Sequence, residues 1–221
     1  MFTVASIDVG IIHLGLVWAS FDADCNLHRL EGCALVDLTS IVQQYHQAVR
    51  APCVFQHTNT LTDRLNHFYA LYASVLDAAR FIFIEQQPIM GHTAVEQLVF
   101  AQYREKAILI HPCVMHKLMN IHWLGDYELR KRATERIAKA LPMSTAFEDE
   151  YKRLESARVH DIADAVCIML TGMVPKQKMR QLELDETHRK EIREAKHLQL
   201  QKVLSKTDLQ DFFASFLYRE K

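Results

Sequence analysis

The sequence predicts an α/β domain built on a mixed five-stranded sheet with helices packed against it. Three apolar, β-branched runs come first and are separated by short turns, which predicts three neighbouring antiparallel strands. Helical periodicity then alternates with two short, fully apolar runs, which predicts two parallel strands. With 221 residues, 49% of them hydrophobic, the chain is long enough to bury the core of one such domain.

The elements follow in order along the chain. The predicted strands cover residues 2–8, 14–21, 27–38, 80–85 and 107–112. The predicted helices cover residues 39–51, 60–79, 93–106, 127–141 and 157–172, and Thr60 with Asp63 resembles a capping box at the start of the second helix. Beyond Pro175 the composition becomes charged, so we predict one domain over residues 1–175 and a helical C-terminal extension over 176–221. In that extension, residues 207–217 are amphipathic, and their end, FFASFL at 212–217, is expected to dock on its own domain.

Composition and charge exclude several classes of protein. The formal net charge is -1, so a nucleic-acid surface would have to be a local concentration of Lys and Arg. Five cysteines without a CxxC pair favour free thiols in a reducing compartment over disulfides or a zinc knuckle. No apolar run reaches the roughly 20 residues that span a bilayer, and the first residues, MFTVASIDVG, have no basic region ahead of the apolar run. We therefore expect a soluble, intracellular protein without a signal or transit peptide.

Four acidic residues stand where predicted strands end or where a late helix begins. Asp8 lies in SIDVG, just before a glycine that lets the chain turn, and Glu85 ends FIFIE. Asp161 and Asp164 lie in the apolar stretch ARVHDIADAVCIML, where their spacing puts both carboxylates on one face of a helix. Like charges held that close need a positive partner, and carboxylate oxygens without Cys or His ligands suit Mg²⁺ or Mn²⁺. These residues predict a site for one or two divalent cations.

The order of the motifs resembles that of the RuvC-like Holliday junction resolvases of the RNase H superfamily. Asp-x-Gly stands near the N-terminus, and a later apolar strand ends in EQQP (85–88). HPCVM follows at 111–115. The segment YELRKRATERIAKAL (127–141) then supplies a Tyr and a basic cluster, and HDIADA comes last at 160–165. The resemblance is strongest to the resolvases of poxviruses and related large DNA viruses, and it covers residues 6–170. His160 stands where the family has the first acid of a doublet, and the charged tail has no counterpart.

The resemblance implies an RNase H-like fold and a metal-dependent endonuclease that acts on four-way DNA junctions. Asp8, Glu85, Asp161 and Asp164 would hold two Mg²⁺ ions, or Mn²⁺; one ion would activate a water for attack on the scissile phosphate and the other would stabilise the leaving 3′-oxygen. Lys131 matches the family's lysine and would neutralise the phosphate in the transition state. Contacts with DNA are expected from Gln86, Gln87, Arg130, Arg132, Arg136 and Lys139.

Further expectations concern His160, the oligomer and the compartment. His160 is either a capping or orienting residue or a general acid–base group close to the metals. A four-way junction has near two-fold symmetry, so a C2 homodimer is expected. The likeness to viral resolvases favours a replication compartment in the cytoplasm or nucleus of an infected cell.

Other functions are compatible with part of the same pattern. An RNase H-like nuclease acting on RNA–DNA hybrids or on other branched DNA would carry the same four acids, and a non-catalytic junction-binding protein could keep the fold. An ATP-binding domain of the actin and sugar-kinase type also opens with Asp-x-Gly. That class needs a second glycine-rich phosphate loop, which this chain of only six glycines does not contain.

Overall fold

The predicted mixed sheet is present in a computed structural model of the chain, which describes residues 1–49, 53, 55, 57–154 and 158–184. The strands are β1 (Phe2–Asp8), β2 (Leu14–Phe21), β3 (Leu27–Val36), β4 (Ala79–Glu85) and β5 (Ala107–Ile110). They lie in the order β3-β2-β1-β4-β5. The first three strands pair antiparallel, whereas β4 and β5 run parallel to β1. The predicted fold class is confirmed.

Helices cover both faces of this sheet. The described residues form α1 (Ile41–Val49), α2 (Leu61–Leu71), α3 (Ala73–Leu76), α4 (Thr93–Gln102), α5 (Pro112–Leu118), α6 (Tyr127–Lys139), α7 (Thr145–Leu154) and α8 (Val159–Leu184). As predicted, the Thr60 side chain accepts a hydrogen bond from the backbone N–H of Asp63 and begins α2. The helices α5 and α7 are absent from the sequence predictions, although Phe147, Tyr151 and Leu154 of α7 have the spacing of a buried helical face.

The predicted helix over residues 60–79 is wrong in its second half. The helix breaks at Tyr72 into α2 and the short α3, and Ala79 already pairs with Thr3 in the sheet. The chain must leave the helix early enough to enter β4, so strand pairing between distant segments overrides the local periodicity.

The helix predicted over residues 93–106 also ends early, at Gln102. Lys106 lies in the turn that follows, where its Nζ donates to the backbone oxygens of Leu76 at 2.7 Å and Asp77 at 2.8 Å. These contacts fix the turn into β5 and prevent the helix from continuing.

The predicted end of α8 near Gly172 is wrong as well, because the helix continues to Leu184 and passes through Pro175. A Cβ atom on Gly172 would lie 2.2 Å from Cδ1 of Phe83 in β4. The missing side chain therefore lets α8 pack closely on the sheet, and it does not mark the end of the helix.

Two hydrophobic cores lie on opposite faces of the sheet. Val4 packs with residues of α7 and α8, whereas Ala5 and Ile7 pack with residues of α1, α2 and α4. Successive side chains of a strand point to opposite faces, so β1 is covered on both sides. The central strands β1 and β4 are thus held between two helical layers, which fixes the positions at which they end.

The chain divides into two units, Met1–Val174 and Pro175–Lys221. The second unit is described only as far as Leu184. Most of the predicted extension, 176–221, and all of the amphipathic segment 207–217 lie outside the described residues, so their boundary and role stay predictions. None of the described helices is long and apolar enough to cross a membrane.

Candidate active site

Four carboxylates meet at one edge of the sheet. β1 and β4 are neighbouring parallel strands, so Asp8 and Glu85, which end them, leave the sheet side by side. α8 begins next to them and contributes Asp161 and, one turn further on, Asp164. Asp8 is hydrogen-bonded to Glu85 and interacts electrostatically with both acids of α8. The structure thus brings together the four acids that the sequence singles out.

Two contacts place the start of α8 beside β1. The buried hydroxyl of Ser6 in β1 donates to the backbone oxygen of Ala165 at 2.6 Å. Gly15 of β2 pairs with Asp8, and a Cβ atom on it would lie only 2.4 Å from the backbone oxygen of Asp161. The helix therefore approaches the sheet at a position that only glycine permits, and the sequence alone indicates neither contact.

Burial and mutual repulsion disfavour the charged forms of three of these acids, Asp8, Glu85 and Asp164. Burial, then the charges of Glu85 and Asp164, raises the pKa of Asp8 well above its usual value. Burial raises the pKa of Asp164 to about 7; the charges of Glu85 and Asp161 add to the increase, and a hydrogen bond with Thr134 opposes it. Burial raises the pKa of Glu85 in the same direction. A cation bound among these three carboxylates would favour their charged forms, which is what a cation-binding site requires.

Three basic side chains lie near Asp161: two of them contact it, and the third contacts one of those two. Arg158 Nε donates to Asp161 Oδ2 at 2.9 Å, and His160 Nε2 lies 3.2 Å from Asp161 Oδ1. The same His160 nitrogen lies 3.0 Å from Lys131 Nζ, which is also 4.1 Å from the centre of the Tyr127 ring. Burial lowers the pKa of His160, and the charge of Lys131 adds to this against the attraction of Asp161. A lysine ammonium only donates, so the neutral ring accepts from Lys131 at Nε2 and has no proton there for Asp161. His160 thus holds that lysine beside the acid cluster.

Glu96 is a fifth carboxylate near the site that the sequence predictions do not include. It is buried on α4 and accepts a hydrogen bond from the backbone N–H of Gln87, and its charge raises the pKa of Glu85. The Gln87 side-chain amide donates to Glu85 Oε2 at 2.5 Å. An acid in the first turn of a helix also complements the helix dipole, so the sequence does not single out Glu96. The sequence predictions do not include Arg158 either, although its i,i+3 spacing from Asp161 is that of a helical ion pair.

The residues predicted to contact DNA lie on α6 and at the end of β4. Gln86 is exposed directly after the strand. Arg130 Nη1 donates to the backbone oxygen of Leu124 at 2.7 Å. Gln87 is half-buried, and its side chain donates to Glu85. The remaining three are exposed on one face of α6 at spacings of four and three residues, and we refer to them as the basic stripe: Arg132, Arg136 and Lys139. Contact between these side chains and DNA stays a prediction.

Two of the four acids, Asp8 and Asp161, border a cleft of about 430 Å³. The rest of its lining consists of residues 9–13 of the turn between β1 and β2, Thr39, His92 and Arg158. The cleft therefore makes part of the acid cluster accessible, with the Arg158 guanidinium beside it.

The raised pKa of Asp164 predicts that the metal-free protein loses stability as the pH rises. An aspartate in an unfolded chain titrates at about 3.9, whereas folded Asp164 titrates at about 7. Between these values the folded state keeps a proton that the unfolded chain has released, so the free energy of unfolding falls with rising pH and levels off above the folded pKa. Asp164→Asn removes the titrating group and therefore this loss. At pH 8 the free energy of unfolding of the variant should be higher than that of the wild type by roughly 1–3 kcal/mol.

Urea unfolding in EDTA at a series of pH values measures this difference between wild type and Asp164→Asn. The gain in the free energy of unfolding should grow from about pH 5 to about pH 8. A gain that stays constant over this range would contradict the raised pKa.

No protein-family model matches the chain, and no curated protein matches its sequence. Among solved structures, the fowlpox virus Holliday junction resolvase is similar with a TM-score of 0.50 and 14% identity, over 78% of this chain and 98% of that chain. The complex of the fowlpox virus resolvase with its substrate Holliday junction DNA gives a TM-score of 0.50 and 13% identity, over 78% and 97% of the two chains.

Thermus thermophilus RuvC is also similar, with a TM-score of 0.48 and 18% identity over 80% of this chain and 97% of that chain. At identities this low, a structural likeness establishes only the fold. The assignment of the fold rests here on the two fowlpox virus structures, which have the higher TM-scores. The fold that the resemblance implies is confirmed at that level: this chain has the fold of the fowlpox virus Holliday junction resolvase.

Proposed function

We propose that this chain is a metal-dependent endonuclease that resolves four-way DNA junctions by paired, symmetric nicks. The observation that carries the proposal is the meeting of Asp8, Glu85, Asp161 and Asp164 at one edge of an RNase H-like sheet. The fowlpox virus resolvase has the same fold, and one of its solved structures contains Holliday junction DNA. Recombination, repair or the processing of replicated DNA concatemers would use such an activity.

The four carboxylates fit divalent metal ions such as Mg²⁺. Their donor atoms are oxygens only, which hard cations prefer, and the raised pKa values of three of them indicate negative charge that a cation would offset. We infer that Asp8, Glu85, Asp161 and Asp164 hold two ions and that Mn²⁺ can replace Mg²⁺. Bound there, the ions would supply a water of lowered pKa as the nucleophile and would offset the charge of the leaving oxygen.

Neighbouring side chains hold the acids and the substrate phosphate in position. Arg158 fixes the orientation of Asp161 through its hydrogen bond. Lys131, held by His160 and the Tyr127 ring, is placed to neutralise the negative charge that grows on the phosphate during attack. We assign His160 the role of a positioning residue for Lys131, because its Nε2 accepts from that lysine.

Gln87 holds Glu85, and Glu96 holds Gln87. The Gln87 side chain donates to Glu85, and its backbone N–H donates to Glu96. The first contact restricts the rotamers of Glu85 without adding a positive charge. The carboxylate therefore keeps its capacity to bind a cation.

Contact with DNA away from the cut would come from the basic stripe on α6, with Gln86 and Arg130 nearer the acids. Lysine and arginine contacts with phosphates supply affinity and register with little choice of sequence. A junction presents two equivalent strands, so we infer that two copies of the chain act as a C2 homodimer. The compartment in which the protein works, a site of viral DNA replication, stays a prediction.

The test is incubation of the purified full chain with three substrates: an immobile four-way DNA junction, a matched duplex and an RNA–DNA hybrid. Each is supplied with Mg²⁺ or with EDTA. We expect paired nicks at symmetric positions on the junction alone, and none in EDTA. Cleavage of the hybrid alone would assign the chain to another class of RNase H-like nuclease. Tight junction binding without cleavage in Mg²⁺ or Mn²⁺ would indicate a non-catalytic binding protein, and either result would overturn the proposal.

A further inference from the structure

A second group of chemically reactive side chains lies between α1 and α2, on elements that supply none of the four acids. His46 comes from the last turn of α1, and His67 comes from the middle of α2. Cys53 and His57 come from the segment that connects these helices. None of these four residues takes part in the proposed nuclease mechanism.

The geometry of the group is that of a metal-binding site. One potential ligand atom from each of His46, Cys53 and His57 lies within 4.8 Å of the others. His67 Nε2 lies 3.4 Å from Cys53 Sγ. A tetrahedral zinc ion with Zn–S of about 2.3 Å and Zn–N of about 2.0–2.1 Å separates sulfur from nitrogen by about 3.5 Å. The Cys53–His67 pair already has this separation. A bound ion would draw the ligand atoms of His46 and His57 closer to Cys53 Sγ than the 4.8 Å within which they lie.

His67 is oriented as a metal-ligating histidine is. Its ring is fully buried, and Nδ1 lies 2.7 Å from the backbone oxygen of Asp63, to which it donates. Nδ1 therefore carries the proton, which leaves the lone pair of Nε2 directed at Cys53. A ring N–H donated to a carbonyl, with the other nitrogen facing the ion, is the usual arrangement around histidine ligands.

The buried carboxylate of Asp63 is an independent sign of a missing positive charge. Asp63 is 6% exposed, and its Oδ2 has no hydrogen-bond partner among the residues that the structure describes. Its Oδ1 lies 4.0 Å from His67 Nδ1. A buried carboxylate in this state is costly unless a cation lies nearby. An ion bound to His67 would supply that charge through the imidazole.

Packing alone accounts for only part of this arrangement. Tyr45 and Phe55 surround His67, with ring centroids at 5.3 Å and 4.8 Å, and exclude water from one side of the group. His57, at a φ of 53°, adopts a left-handed conformation that is uncommon for histidine. Its ring lies 5.1 Å from both the His46 and the His67 rings. An apolar cluster does not require three imidazoles around one thiol, whereas a metal site does.

We propose that His46, Cys53, His57 and His67 bind a structural zinc ion. One thiolate and three imidazoles are the nitrogen and sulfur donors that zinc prefers, in contrast to the oxygen donors of the nuclease site. Four protein ligands leave no position open for a substrate, so the ion fastens the segment between α1 and α2 and does no chemistry. The spacings 46–53–57–67 match no familiar zinc motif, which is why the sequence alone does not reveal the site.

The first experiment measures the zinc content of the purified full chain by mass spectrometry after zinc reconstitution and desalting. We expect about one zinc per chain in the wild type and in the control variants Cys113→Ser and His122→Ala, which change exposed residues outside the group. Cys53→Ser and His57→Ala should lose most of the metal. His57→Cys, which keeps a zinc ligand at that position, should retain it and thereby separates loss of binding from loss of folding.

Cobalt(II) provides a second measurement. The wild type loaded with Co²⁺ should show a thiolate-to-metal absorption band that Cys53→Ser abolishes and that Asp8→Asn, in the nuclease site, leaves intact. EDTA should lower the melting temperature of the zinc form by several degrees. A wild type that retains no zinc, or Cys53 and His57 variants that retain as much as the wild type, would overturn the proposal.

Discussion

Replacing Asp8 by asparagine is expected to lower the rate of junction cleavage at least about 1,000-fold, which corresponds to about 4 kcal/mol of transition-state stabilisation. Asp8 lies at the centre of the acid cluster, hydrogen-bonded to Glu85 and within the field of Asp164. The substitution keeps the shape of the side chain and removes a charge that the metal site needs. Single-turnover rates on a labelled four-way junction in Mg²⁺ measure the effect.

Folding and DNA binding distinguish this effect from general damage. Removing one of several repelling buried charges should leave the free energy of unfolding of Asp8→Asn equal to that of the wild type or higher. Junction affinity should stay within a few-fold, since most of it comes from phosphate contacts elsewhere. Asp149→Asn makes the same chemical change at an exposed position on α7 and should cleave normally. Cleavage by Asp8→Asn at the wild-type rate would refute the assigned role of the cluster.

The second large effect is expected from Gly15→Ala. The added methyl group would push β2 and α8 apart. The new Cβ would lie 2.4 Å from the backbone oxygen of Asp161 and 2.8 Å from its carbonyl carbon. Backbone atoms cannot rotate away as a side chain can, and the bond from Ser6 to Ala165 holds the helix in place. We expect a loss of about 3 kcal/mol in the free energy of unfolding. We also expect cleavage to fall about 100-fold as Asp161 moves away from Asp8.

Gly125→Ala is the matched control for this prediction, because its Cβ would have no heavy atom within 4 Å from any residue that the structure describes, apart from its own residue and its two chain neighbours. Its free energy of unfolding should change by less than about 0.5 kcal/mol, and its cleavage rate should stay at the wild-type value. Urea unfolding and single-turnover rates measure both glycine variants. Equal stability and equal activity of the two would show that the contact between β2 and α8 is looser than the structure indicates.

Local pattern was sufficient to predict the strands and the four acids. The strands of the central sheet are short apolar runs bounded by turn residues, a signal contained within about ten positions. Asp8 and Glu85 are recognisable because each ends such a run, and Asp161 and Asp164 because two carboxylates interrupt an apolar helix. Helix ends were less predictable: residues 77–79 and 103–106 have helical composition, but pairing and hydrogen bonds with distant segments give them other conformations.

The sequence by itself was sufficient to single out the four acids of the proposed site, because charge, apolarity and their spacing are local properties of the chain. Only the tertiary structure decided how those residues are held. Ser6 and Ala165 are 159 positions apart and Lys131 and His160 are 29 apart, so neither contact leaves a trace in local periodicity. The same applies to the group formed by His46, Cys53, His57 and His67. Its members come from three segments, and only the tertiary structure brings potential ligand atoms of His46, Cys53 and His57 within 4.8 Å of one another and His67 Nε2 to 3.4 Å from Cys53 Sγ.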